Sequence, residues 1–134
     1  MAITRELIVA DTDEEAERLA RDAGSFIWNK FFVPFGFGAA VVDPGQGPWD
    51  KPATFETISD AGLCIHGSPA TVCKKIEAQL KHYPVEYFWH FVYNHMPHKA
   101  LMRSLELLTE EVWPNFTDKI KPSNTSRVGN MSAG

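Results

Sequence analysis

The 134-residue chain has only two cysteines, no dense block of positive charge and no long apolar run. Cys64 and Cys73 stand nine residues apart with a helix start expected between them, so they form no disulfide framework. They read as small apolar side chains, with a reactive thiol or a metal ligand as the alternative. Lys and Arg number 13 against 17 Asp and Glu, a formal net charge of −4. Without a basic patch, generic nucleic-acid binding has little electrostatic support. The longest apolar stretches fall well short of the roughly 20 residues that a membrane span needs. Residues 1–6 carry no apolar signal core. The expectation is a cytoplasmic protein that engages neither nucleic acid nor membrane.

What is present suits a globular chain. Hydrophobic residues make up 44% and charged residues 22%, ordinary values for one domain long enough to bury a core. The stretch RELIVAD has an aliphatic centre at residues 7–9 and reads as a brief buried strand. Thr12 followed by Glu15 has the form of a capping box, and Asp13, Glu14 and Glu15 suit the positive end of a helix dipole. Ala16, Leu19, Ala20, Ala23 and Ile27 recur at helical spacing. Gly24 weakens the middle of that helix by about 1 kcal/mol.

Residues 33–52, VPFGFGAAVVDPGQGPWDKP, are rich in proline and glycine and lack any sustained period, so they read as a loop. A loop of this length in a compact domain is usually a functional lid or is disordered. Its GFG neither follows a strand nor opens a helix, as a dinucleotide fingerprint must. HGSP then marks a helix entry, with Ser68 as N-cap and Pro69 at the first helical position. Val72, Ile76 and Leu80 mark the buried side of that helix. Residues 85–93, VEYFWHFVY, are β-branched and aromatic with apolar groups on both faces. They predict a parallel strand covered on both sides. Leu101, Leu105, Leu108 and Val112 predict a last helix, ended by Pro114. Residues 119–134 are polar and read as a frayed tail. Strands alternating with helices imply βα units. Two strands alone leave open edges, so the chain reads as a piece of a larger fold or as one that pairs with another chain.

RELIVADTDEEAERLA, GSPATVCKKI and MPHKALMRSLELLTEEVWP, in that order, resemble the C-terminal end of the luciferase-like flavin-dependent monooxygenases, the family of bacterial luciferase and the alkanesulfonate monooxygenases. The resemblance implies an α/β fold, a partial (β/α)8 TIM barrel comprising about the last two βα units with a long inserted loop. Residues 7–9 would then resemble the seventh strand and residues 85–93 the eighth. Residues 1–118 would form the barrel part, with 33–52 as a lid-like insertion and 119–134 as the tail. The implied activity is insertion of one oxygen from O2 into a small organic substrate through reduced FMN. A flavin reductase is a possible partner, and some relatives use a deazaflavin. Six strands and much of the phosphate contact of relatives lie outside the resemblance. A homo-oligomer or a partner chain completing the barrel is therefore expected. The alternative is a non-catalytic remnant or accessory module that binds no flavin and dimerises through its exposed strands.

Barrel sites lie at the C-terminal ends of the strands. The pocket-lining candidates are accordingly His90, Asn94, His95, Met96 and His98. His98 matches the M-P-H position of the family, whereas His95 stands where relatives usually carry glycine, which bears on whether a flavin could approach. A metal reading of His95 and His98 needs both imidazoles on one regular face and a third ligand. His90 is the possible third and no carboxylate flanks the group, so no metal is expected, and helix-entry capping is the remaining alternative. His90 could face a barrel interior or be a satisfied core histidine. His66 reads as an exposed loop residue, with a place near a pocket edge as the alternative, and His82 as a helix-end residue suited to the dipole. Tryptophan and phenylalanine read as core or as cover for barrel edges. No catalytic residue is assigned.

Overall fold

The computed structural model describes residues 1–23, 26–38, 53–91 and 96–118. Strand β1 (Ala2–Val9) leads into helix α1 (Asp13–Ala23) and a wide helical turn, Trp28–Phe32. Helix α2 (Phe55–Asp60), strand β2 (Cys64–Gly67) and helix α3 (Pro69–His82) follow. Strand β3 (Tyr87–Phe91) precedes helix α4 (His98–Leu107), which continues through a wide turn, Leu108–Val112, and a 3-10 turn, Trp113–Phe116. Of the expected lid at 33–52, residues 33–38 form a turn and a short 3-10 segment, while 39–52, the tail at 119–134 and residues 92–95 lie outside the described residues.

The helix starts follow the expected chemistry, with one change of partner. Thr12 Oγ1 accepts from Glu15 N at 3.2 Å. The Glu15 carboxylate turns instead to Arg18, whose Nη2 lies 2.6 Å from it. Ser68 is the N-cap of α3 and Pro69 opens it. The capping oxygen comes from a distant helix: Asp13 Oδ1 accepts from Ser68 N at 2.7 Å, and Oδ2 from Thr71 Oγ1 at 3.0 Å. These donors hold the Asp13 carboxyl below its ordinary pKa, the Ser68 backbone N–H contributing most. Gly67 stands at this joint with φ +151°. A Cβ there would meet the Thr71 methyl at 2.6 Å, so the close approach requires glycine.

The three strands form one parallel sheet in the order β2-β1-β3. β1 and β3, the two expected strands, are neighbours in the sheet, although β2 lies between them in the chain. β2 was not expected. It lies on the other side of β1, pairing Leu7 with Ile65 and Val9 with Gly67. The chain steps one way from β1 to β2 and then back across β1 to β3. With crossovers of one hand, such a reversal sends the helices to opposite faces.

Two cores result. Ile8, Ala10 and Cys64 pack under Ala16, Leu19, Ala20 and Ala23 of α1, with Trp28, Phe55 and Ile58. Leu7, Val9 and Ile65 face the other way, under Val72 and Ile76 of α3 and Leu107, Leu108, Val112 and Phe116. The alternation along β1 is the period of two that a strand imposes. β3 departs from expectation. Phe88 and His90 turn toward Trp113, but Tyr87, Trp89 and Phe91 are exposed. An edge strand has neighbours on one side only, so an aromatic run did not guarantee cover on both faces.

Candidate functional site

The even-numbered residues of β1 set the floor of a cavity. Thr4 and Glu6 lie on the Ile8 face, and Phe91 of β3 is in register with Glu6. The wide turn after α1 brings Trp28 and Phe32 over this floor. Phe37 and Leu63 close two further sides of a cavity of about 310 Å³, near the lower end of the roughly 300–1,000 Å³ range of ligand sites. The rings form a corner: Trp28 and Phe32 have centroids 4.8 Å apart, and Phe32 and Phe37 stand 6.0 Å apart at 89°. Asn29 fixes the turn by exchanging two hydrogen bonds with the Ala53 backbone, at 2.7 and 2.8 Å.

Polar groups at the wall are few. Glu6 is only 3% exposed. The indole Nε1 of Trp28 is buried and has no hydrogen-bond partner among the described residues. Arg5 also borders the cavity, but its guanidinium is committed elsewhere. Nε donates to Gln79 Oε1 of α3 and Nη1 to the Thr4 carbonyl, both at 2.8 Å. Because α3 covers the opposite face of β1, the charge of Arg5 is turned away. Burial also lowers its pKa.

The described sequence candidates, His90, Met96 and His98, do not line this cavity. His90 lies on the other face of β3, with its ring centroid 5.8 Å from that of Trp113. Its partial burial lowers its pKa. Met96 is buried in the core beneath α1, and His98 is exposed at the first position of α4. Asn94 and His95 lie outside the described residues. Among the described residues no group of three or more His, Cys, Asp and Glu side chains could hold a metal ion.

His66 also departs from expectation. It belongs to β2 rather than an exposed loop, with Nε2 3.1 Å from Ser59 Oγ and its ring 5.1 Å from that of Phe55. Burial lowers its pKa. Cys64 is a buried core residue, as its small apolar character predicts. Burial raises the pKa of Cys73, which disfavours a reactive thiolate. Sequence reasoning missed Trp28, Phe32, Phe37 and Phe91 as cavity residues. The aromatic density of residues 26–37 was the available signal.

No protein-family model matches the chain, and no curated protein matches it. Among solved structures it is similar to the oxygenating constituent of 3,6-diketocamphane monooxygenase from the CAM plasmid of Pseudomonas putida. That protein is a type II Baeyer-Villiger monooxygenase in complex with FMN. The TM-score is 0.65 at 28% identity, over 84% of this chain and 33% of that one. The chain therefore spans about a third of its neighbour's length. The likeness supports an α/β fold with a small parallel sheet of the kind found in part of that neighbour.

The cavity fits one end of FMN better than the other. Aromatic walls suit a flat ring. A phosphate needs an arginine, a lysine or the start of a long helix. Among the described lining residues the only cation is Arg5, already engaged on the far face. The described residues therefore do not fit the phosphate.

Proposed function

We propose that this chain is the C-terminal portion of a luciferase-like, flavin-dependent monooxygenase barrel, and that it supplies aromatic walls rather than the phosphate site. The observation that carries this reading is the likeness to an FMN-bound monooxygenase over 84% of the chain. The parallel pairing of β1 with β3 is compatible with neighbouring barrel strands, but β2, which lies between them in the chain, sits on the far side of β1 and departs from barrel order. Helices on both faces of β1 and β2 depart from the single outer ring of a barrel. Over β3, however, the face bearing Tyr87, Trp89 and Phe91 is open, and there the remaining strands would close the wall. They would come from a longer parent or a partner chain. Reduced FMN, or a deazaflavin, would supply oxygen transfer from O2 to a small organic substrate, with a flavin reductase as the source of reducing equivalents. Residues of this chain would position the ring and exclude water. Among the described residues no helix is long and apolar enough to cross a membrane, which is compatible with a cytoplasmic setting.

One observation favours a second reading, a non-catalytic module that self-associates. Among the described residues β3 is an edge strand with three exposed aromatic side chains and no lysine or proline within it, so it lacks the usual protection against edge pairing. Titration of the folded chain with FMN, read by flavin fluorescence alongside mass in solution, separates the two. Saturable quenching supports the first reading. A folded dimer that ignores every flavin supports the second.

A further inference from the structure

The cavity between the Trp28–Phe32 turn and the β1–β3 floor is aromatic on three sides, yet its described lining places no uncommitted cation where a phosphate could use it. We propose that it is a ring-only flavin subsite: it takes the uncharged tricyclic ring and is indifferent or averse to the phosphate. The proposal rests on the flavin reading above and specifies which part of the molecule this chain recognises.

Three observations carry it. The walls are Trp28, Phe32 and Phe37, with Phe91 at the floor and two of the rings at right angles. A flat heteroaromatic ring can stack on one such wall and meet another edge-on. The nearest guanidinium, that of Arg5, is held by Gln79 and by the Thr4 carbonyl. Glu6 lies at the wall instead, and a carboxyl group brings no positive charge and repels a phosphate when ionised. The buried Trp28 N–H has no acceptor among the described residues. A buried donor left without an acceptor is costly, and Trp28 itself lines the cavity in which a ring carbonyl would be the acceptor.

The test uses the full chain and three probes, lumiflavin, riboflavin and FMN, each followed by quenching of flavin and tryptophan fluorescence. Lumiflavin and riboflavin are expected to bind within about threefold of each other, with FMN no tighter than either. A single cation on the phosphate would instead give FMN an advantage of about tenfold or more. FMN affinity is also expected not to fall as salt rises, since no attractive ion pair is present to screen. Arg5→Gln should leave the FMN to riboflavin ratio unchanged. Phe37→Ala, at an exposed wall, should weaken all three probes together.

An FMN preference of about tenfold that is lost in Arg5→Gln or in high salt would overturn the proposal while sparing the flavin reading. Failure of a folded chain to bind any of the three probes would overturn both. Circular dichroism of each variant establishes that it is folded before binding is read.

Discussion

β1 has two neighbours, and they differ in what stands behind them. On the β2 side, Cys64 and Ile65 are buried between α1 and α3, and Leu7, Ile8 and Val9 complete a sheet closed on both faces. On the β3 side, one face packs on Trp113 while Trp89 is 63% exposed on the other. A single parallel sheet thus combines a closed half, which carries the stability, with an open half, which carries the cavity and the exposed aromatics. The shortest and least recognisable strand lies in the closed half. The strongest strand signal lies in the open one. Strand propensity therefore says little about burial here; position in the sheet order decides it.

The largest expected effect falls on the closed half. Ile76 is fully buried between α3 and the Leu7–Val9–Ile65 face. Ile76→Ala removes packing atoms and leaves a cavity, so a loss of about 2–5 kcal/mol is expected in urea unfolding. A loss below about 1 kcal/mol would mean that this face collapses easily, and the contrast between the halves would fail.

Next comes the seam where α4 crosses the end of β1. Ser104 Oγ accepts from the Val9 backbone N–H at 2.9 Å, and the bond is buried. Ser104→Ala leaves that donor without its partner at nearly constant shape, for a cost of about 1–3 kcal/mol. A fall in the amide-exchange protection of Val9, without loss of protection at Ile8, would locate the damage at this bond. Arg103 clamps the same seam from outside, with Nη2 2.6 Å from Asp11 and Nη1 2.8 Å from Glu106. Both ends of that clamp are exposed, so little stability is expected from it.

These sites show how much of the molecule was legible in the sequence. The aliphatic run at residues 7–9, the Thr12 and Ser68–Pro69 helix starts and the spacing of Leu101, Leu105, Leu108 and Val112 each carry a local signal, and each falls in the expected element. Cys64–Gly67 carries none. Its four residues are flanked by a turn glycine and include a histidine, and they become a strand through pairing with β1 rather than through their own pattern. The cavity was illegible for a related reason. Its walls come from Thr4, Trp28, Leu63 and Phe91, which meet only once the β1–β3 register is set. Of the described histidine candidates, His90 lies on the face of β3 opposite Phe91, away from the cavity, because a strand alternates its side chains.

A smaller effect distinguishes the two ends of the closed half by pH. Asp13 of α1 caps α3, and its hydrogen bonds lower its pKa in the folded state. A group depressed on folding contributes stability above its unfolded value, about 3.9 for aspartate, and loses it as pH falls through the lower folded value. Asp13→Ala should therefore melt below the wild type near about pH 6, and the two melting curves should converge in stronger acid. A gap that is constant with pH would show that the joint depends on shape and not on the charge of Asp13.

The smallest effect on folding is expected in the open half. Trp89 is largely exposed and belongs to an edge strand, so Trp89→Ser should change the unfolding free energy by no more than about 0.5 kcal/mol. The same change removes the largest exposed apolar side chain on β3, so any association through that face should weaken, visible as a lower average mass in sedimentation at high protein concentration. The two readouts together sharpen the contrast. Reduced association with unchanged stability marks the β3 face as a surface awaiting cover, whether by further barrel strands or by a second copy. A stability loss above about 2 kcal/mol would instead mark Trp89 as part of the core. The division between a closed and an open half would then be wrong, because β3 would be supporting the fold rather than presenting a face to a partner.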